Sequence, residues 1–271
     1  MTRAALLAVL DTRIAHLQTP PALDSVRCCD WRDLLRALPD GSADMILSDL
    51  PYGVTACAWD QRPDLTEWWA LVKRVIKPRG AIVMTASQPF TSMLVTSNLK
   101  WFRYEWIVNK LKASSFLDAN RKPLKVHESV LVFGAERPNY YPQMNNGEKH
   151  RRGTTKHSTD VYSSVKERAV YQSDQYYPKS IVTFSFADTT AQYHATQKPV
   201  DLFAYLIRTY TESGALVVDP FVGSGTTAIA ARNTGRHFIV GDFLPEYAKV
   251  TRDRLAKPWQ PELFAEGDAA R

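Results

Sequence analysis

Asp49-Leu50-Pro51-Tyr52 is the first stretch of this chain whose residue types and order could do chemistry. It follows an apolar run, Ala43 to Ser48, and Pro51 cannot continue a central strand, so the four residues are expected at a strand's end. Open α/β sheets place their ligands at such ends. A carboxylate beside a backbone carbonyl could accept both hydrogens of an aromatic amino group. That pulls a delocalised nitrogen toward tetrahedral geometry and aims its lone pair at an electrophile. The candidate acceptors are the Asp49 carboxylate and the Leu50 carbonyl. The Tyr52 ring could stack on the base that bears the amine, worth about 1–3 kcal/mol as for other stacked bases. No metal or covalent intermediate is required. Taken alone, Asp-x-Pro-Tyr also describes a turn closed by a packed tyrosine.

The second pattern lies far along the chain. Val217-Val218 leads into Asp219-Pro220-Phe221-Val222-Gly223-Ser224-Gly225 and then Thr226-Thr227. Glycines after a strand let the backbone pass close under a ligand, and the helix that follows offers unpaired amides. No lysine follows the second glycine, so a phosphate-cradling P-loop is disfavoured. Acids stand before the loop at Asp219 and at the end of the next strand, where Asp242 precedes Phe243. Carboxylates there suit amines and ribose hydroxyls and would repel a pyrophosphate. A cationic amino-acid nucleoside such as S-adenosylmethionine fits better than a nicotinamide dinucleotide. A tight turn with two incidental acids is the bland alternative.

The elements that must position these groups can be read from periodicity. Strands are expected at Val26–Cys29, Ala43–Ser48, Gly80–Ala86, Tyr104–Asn109, Ser129–Phe133, Ala215–Val218 and His237–Val240. Helices are expected over Trp31–Leu38, with Asp30 as a potential N-cap, and over Leu65–Ile76, stopped by Lys77-Pro78-Arg79-Gly80. Further helices fall at Pro199–Tyr210 with proline in the first turn, Thr226–Asn233 and Glu246–Leu255. Apolar strands alternating with helices predict an α/β fold, a mixed and largely parallel sheet with helices on both faces. Glu136–Ser180 is polar, basic and without a sustained period, which reads as an inserted module or long mobile segment.

Composition agrees with a globular chain. It has 271 residues, 45% hydrophobic and 23% charged, enough for a substantial core. No apolar run approaches the ~20 residues of a membrane helix. Ala4–Leu10 is interrupted by Asp11, Arg13 and His16, so an amphipathic surface helix is expected there rather than a signal peptide. Cys28, Cys29 and Cys57 form no CxxC pair, which suggests a reducing cytoplasm and no zinc. The net charge of +6 is concentrated: residues 98–182 hold fifteen Lys/Arg against eight Asp/Glu. Such a block is the usual footprint of phosphate binding, although a solvated basic surface would look similar.

Together these motifs resemble the amino-methylating DNA methyltransferases. Asp49-Leu50-Pro51-Tyr52 is similar to the family's motif IV (DPPY), with Leu50 in place of the first proline. Asp219 through Gly225 is similar to motif I. Motif IV preceding motif I resembles the permuted β class. Tyr193-His194-Ala195-Thr196-Gln197-Lys198-Pro199 resembles the HPTQKP segment of motif X, with Ala195 for its proline. Asp242 followed by Glu246-Tyr247 resembles motif II, Asp30 resembles motif III, and His127-Glu128 through Phe133 resembles the "hE.ilvf" strand.

The resemblance implies the class I S-adenosylmethionine-dependent methyltransferase fold, with residues 1–271 as one catalytic domain and 110–180 as an inserted target-recognition region. It implies catalytic roles for Asp49, Leu50, Pro51 and Tyr52. Cofactor contacts would come from Asp30, Lys198, Pro199, Asp219, Pro220, Phe221, Gly223, Ser224, Gly225, Thr226, Asp242 and Phe243. The expected substrate is double-stranded DNA with its target base flipped out, since a stacked base cannot meet the methyl donor. Asp rather than Ser at position 49 favours adenine N6 over cytosine N4 by family habit. RNA or protein-glutamine acceptors, and a catalytically silent DNA-binding protein, are the rival readings. Family precedent suggests a homodimer and a bacterial or phage-encoded cytoplasmic enzyme; a partner nuclease is not legible.

Overall fold

The computed structural model describes residues 20–53, 61–114, 116–154, 168–186 and 197–258. The expectations for Ala4–Leu10, Cys57 and residues 193–196 lie outside these described residues. The described chain forms two compact units, one of residues 1–141 with 180–271 and the other of residues 142–179.

The larger unit is built on an eight-stranded sheet. Its strands are β1 (Ser25–Cys28), β2 (Ala43–Ser48), β3 (Ile76–Ala86), β4 (Phe102–Ser114), β5 (Lys125–Phe133), β8 (Ile181–Thr183), β9 (Leu216–Asp219) and β10 (His237–Asp242). They lie in the order β1-β10-β9-β2-β3-β5-β4-β8, and each neighbouring pair is parallel except those that β5 makes with β3 and β4. The central strands bury both faces, as their near-continuous apolar sequences require.

Two layers of helices account for this burial. On one face α4 (Val200–Tyr210) and α5 (Thr226–Asn233) cover Met45, Leu47, Val83, Val132 and Val217. On the other, α1 (Trp31–Arg36), α2 (Leu65–Val75) and α3 (Phe90–Ser97) cover Ile46, Ile82, Met84, Leu131 and Val218. The strict alternation of Ile46 and Leu47, or Ile82 and Val83, between the two layers is the period of two read in three dimensions. A closing helix, α6 (Pro245–Leu255), begins with proline at its first turn and packs against α5 and β1.

Four local expectations need correction. Lys77-Pro78-Arg79-Gly80 does not separate α2 from β3: pairing with β2 begins at Ile76 opposite Ala43 and resumes at Ala81 opposite Met45, so these residues bulge out within the strand. Pro199 is the N-cap of α4 rather than part of its first turn. Helix α3 was not expected, because Phe90–Ser97 mixes Thr, Ser and Val and its Pro89 cap makes no side-chain hydrogen bond. The smaller unit was expected without regular structure, yet it holds an antiparallel ribbon of β6 (Asn145–Thr154) and β7 (Arg168–Tyr176). In that ribbon the His150 ring stacks on Tyr176 with centroids 4.0 Å apart.

Candidate active site

The sheet reverses its chain order between β9 and β2, which lie side by side. Crevices at such switch points, beyond the carboxyl ends of the strands, are where α/β folds bind ligands. Asp49 follows β2 and Asp219 ends β9, so the two sequence motifs, far apart in the chain, arrive at one edge. The junction between them is closed by the Ser48 hydroxyl, which donates to Asp219 Oδ1 at 2.8 Å.

On the β2 side, the carboxylate of Asp49 is the centre of a polar cluster. Its Oδ1 accepts from the Tyr52 hydroxyl at 2.9 Å and from the Thr85 hydroxyl. Its Oδ2 accepts from the Lys198 ammonium at 2.7 Å. Lys198 is 7% exposed at its side chain and also lies 3.6 Å from Glu128 Oε2, which has no hydrogen-bond partner among the described residues. Burial alone would lower the basicity of Lys198, but Asp49, Tyr52 and Glu128 outweigh it and hold the ammonium above the ordinary lysine range. A buried cation between two carboxylates stays charged, so it acts here as a fixed counter-charge and not as a proton carrier.

Leu50 has its side chain buried among the α1–α3 layer, 2% exposed. An anchored side chain holds the loop at the place where the resemblance would have a proline. Pro51 and Tyr52 are partly exposed. The Tyr52 ring rests against Phe90, with centroids 5.3 Å apart, and Lys198 Nζ stands 5.9 Å from its centroid. Burial, then the Asp49 charge, push the phenol well above its usual range, so it remains a hydrogen donor.

On the β9 side, Gly225 caps α5 with φ +89°, and a Cβ there would meet Thr251 at 2.9 Å. Gly223 also has positive φ, at 51°. These two positions require glycine for different reasons, one for lack of space and both for backbone conformation. Asp242 Oδ2 accepts from the Gly223 amide and Oδ1 from the Leu244 amide, each at 3.0 Å. Burial raises the Asp242 carboxyl, against the opposing effect of these two amides. A carboxylate has about four acceptor positions, so Asp242 retains capacity for hydroxyl donors. Phe243 follows it with an exposed ring.

The remaining predicted site residues take varied positions. Asp219 is 2% exposed and fully engaged inside the protein, by Ser48, by Thr227 Oγ1 at 2.5 Å and by the Phe221 amide at 3.0 Å. Phe221 packs near Trp31 and Trp68, Ser224 and Thr226 are buried, and the Thr226 hydroxyl donates to the Lys198 carbonyl at 3.2 Å. Pro220, next to Asp219, is buried at the end of β9. Asp30 is the N-cap of α1, accepting from the Arg32 amide at 2.8 Å and pairing with the Arg32 guanidinium at 3.1 Å. Its backbone neighbour Cys29 is tied to the Asp242 carbonyl at 3.1 Å, which brings Asp30 to the same edge. Lys198, expected among the cofactor contacts, has its ammonium on the opposite motif. Glu128 and Thr85 were missed as site residues; only the motif-like His127-Glu128 pair pointed toward either.

Sheet order, two helical layers and ligand groups gathered at the switch point define the class I methyltransferase fold. Residues 43–253 match the N6_N4_Mtase DNA methylase family, and the chain belongs to it. Type II methyltransferase M.BglII of Bacillus subtilis is 24% identical over 265 residues, a match covering 84% of this chain and 67% of the relative. Type II methyltransferase M2.DpnII of Streptococcus pneumoniae is 48% identical over 62 residues, 23% of each chain. Among solved structures, PvuII DNA methyltransferase (cytosine-N4-specific) superposes with TM-score 0.64 at 17% identity, over 90% of this chain and 91% of that one. The M1.HpyAVI–SAM complex does so with TM-score 0.59 at 19% identity, over 86% and 99%.

Proposed function

We propose that the protein transfers a methyl group from S-adenosylmethionine to N6 of adenine in double-stranded DNA, as a site-specific methyltransferase of the permuted β class. The observation that carries this reading is the closure of the Asp49 and Asp219 strand ends into one edge through the Ser48–Asp219 hydrogen bond. The residues present fit the cofactor. The glycines let the loop backbone pass close under a ligand, Asp242 keeps acceptor capacity for the ribose hydroxyls, and residues 219–225 themselves contain no Lys or Arg to demand a phosphate. Asp30, Phe221, Gly223, Ser224, Gly225, Thr226 and Phe243 would complete that pocket, with Asp219, Pro220 and Pro199 shaping it. S-adenosylmethionine supplies an electrophilic methyl when bound.

The protein's own part is to orient the acceptor. Asp49 and the Leu50 carbonyl accept the two hydrogens of the amino group, which localises the lone pair. Tyr52 leaves Asp49 Oδ1 to stack on the base, and Lys198 holds the carboxylate in place through Oδ2. The base reaches this edge only when extruded from the duplex. The ribbon of residues 142–179, within the wider 110–180 insert, would read the target sequence, with Lys149 and Arg151 on phosphates and Tyr171 or Tyr176 toward bases. Restriction-modification is the biological setting that the type II relatives support, in a bacterial cytoplasm, with a homodimer as the family's precedent.

Asp49 is the feature that favours adenine. Transfer to cytosine N4 is the second reading, favoured by the fold likeness to the cytosine-N4-specific PvuII enzyme. Incubation of purified protein with unmodified plasmid DNA and radiolabelled S-adenosylmethionine, followed by mass spectrometry of the nucleosides, tests both. N6-methyladenine is the expected product. N4-methylcytosine would replace the adenine assignment, and unlabelled DNA would remove the functional reading.

A further inference from the structure

The hairpin between β4 and β5 has a feature that the methyl-transfer site does not use. Leu111, Phe116, Leu117, Leu124 and Val126 are all exposed there, Phe116 at 75% and Leu117 at 84%. Large apolar side chains gathered at a tip in water mark a surface that meets a partner. The tip is built, not frayed. Phe116–Asp118 form a 3-10 turn, and the Asp118 carbonyl accepts the amides of Arg121 at 2.8 Å and Lys122 at 3.1 Å. A Lys122–Asp118 ion pair at 3.0 Å closes the same turn.

Its place in the fold decides what the partner is. β5 runs antiparallel to β3, with Ser129 opposite Ala86, so the start of β5 and the hairpin lie at the strand-end edge that carries Asp49. The base of the hairpin is wired to the catalytic carboxylate: Asp49 bonds Lys198, Lys198 faces Glu128, and Glu128 Oε1 pairs with Lys110 at 3.3 Å. Lys110 Nζ reaches Ser114 Oγ at 3.4 Å, close to the tip. Residues 110–126 hold five Lys/Arg against one Asp. An apolar point set among cations, beside a site that needs an unstacked base, matches the demands of a duplex with a void in its stack.

We propose that Phe116 and Leu117 form a wedge that enters the duplex and fills the space vacated by the extruded target nucleotide. The proposal rests on the methyl-transfer reading above. Inserted apolar side chains hold a base step open and oppose return of the flipped base. Phe116 and Leu117 are positioning residues: they touch neither methyl donor nor amine, and act by lengthening the life of the extruded state. The cations around them would hold the flanking phosphates.

The test uses the full-length protein and a synthetic duplex carrying a site first mapped by sequencing of methylated plasmid. One duplex pairs the target base normally, and a second places an abasic position opposite it, so that extrusion costs less. The double variant Phe116→Ala/Leu117→Ala is expected to lose roughly tenfold to hundredfold in kcat/KM on the paired duplex. It should recover most of that loss on the abasic-opposed duplex, and Phe116→Trp should restore activity on the paired one. Asp49→Ala, by contrast, should be inactive on both. Equal losses on both duplexes, or none on the paired duplex, overturn the wedge. A double variant that sediments as a monomer where the parent is a dimer would make the tip a self-association surface and also overturn it. A parent that methylates no DNA at all removes the functional reading itself, a result distinct from either.

Discussion

The Ser48 hydroxyl and the Asp219 carboxylate, 171 positions apart in the chain, meet at 2.8 Å where β2 and β9 end. Asp219 also accepts from Thr227 at the start of α5 and from the Phe221 amide, so one buried carboxylate joins the catalytic strand, the glycine loop and the helix after it. The acid that sequence patterning placed among the cofactor contacts thus ties the two halves of the site together inside the protein.

That arrangement makes a pH prediction. Burial lifts the Asp219 carboxyl to about 7, against the lowering effect of Thr227, Phe221 and Ser48. In the unfolded chain an aspartate titrates near ~4. The folded state therefore binds the additional proton between these values, and the stabilisation is complete below about pH 4 and lost as pH rises through about 7. Asp219→Asn cannot ionise. Its melting temperature relative to the parent should rise between about pH 4 and about pH 7 and level off above that, because the parent alone loses stability in this window. A difference that stays flat across this window contradicts the buried titration.

Removing the acceptor tests the chemistry. Asp49→Ala should lower methyl transfer by on the order of a hundredfold or more while cofactor affinity, measured by calorimetry, stays nearly unchanged. Activity close to that of the parent would end the catalytic assignment.

Lys198 sits between two carboxylates and is itself buried, so its loss leaves uncompensated charge. Lys198→Met should destabilise the fold by about 3–5 kcal/mol. Adding Glu128→Gln should return part of that loss, because it removes one of the orphaned anions, and chemical denaturation of the single and double variants gives the coupling. Purely additive losses would show that Glu128 and Lys198 do not interact.

Asp242→Ala should weaken S-adenosylmethionine binding by roughly tenfold to hundredfold, the loss expected for hydrogen bonds to a charged acceptor. The effect should fall on cofactor affinity and on the KM for cofactor more than on kcat. An unchanged affinity would remove the ribose role.

Much of this architecture could be read from the chain because its strands are apolar and its motifs sit at their ends. Ala43–Ser48 and Thr226–Asn233 match the observed elements residue for residue. Polar segments were less legible. Asn145–Thr154 has no apolar face, so the pairing that makes it a strand leaves no period in the sequence. Phe90–Ser97 is helical although its β-branched Thr91, Val95 and Thr96 favour strands, because Phe90 and Leu94 are buried against the sheet. The attachment of Lys198 to Asp49 and Glu128 was hidden for another reason: motif spacing ranks residues along the chain, and this cluster exists only after β2, β5 and the start of α4 have met.

The sheet's strand order carries a consequence for synthesis. β1, near the beginning of the described chain, has β10 as its sheet neighbour, and β10 in turn reaches β2 through β9. During translation the first described strand therefore waits for the last described one. A ribosome-bound fragment lacking β9 and β10 holds Asp49 and Tyr52 but neither the glycine loop nor Asp242. Premature termination would then yield a chain without the residues proposed to hold the methyl donor.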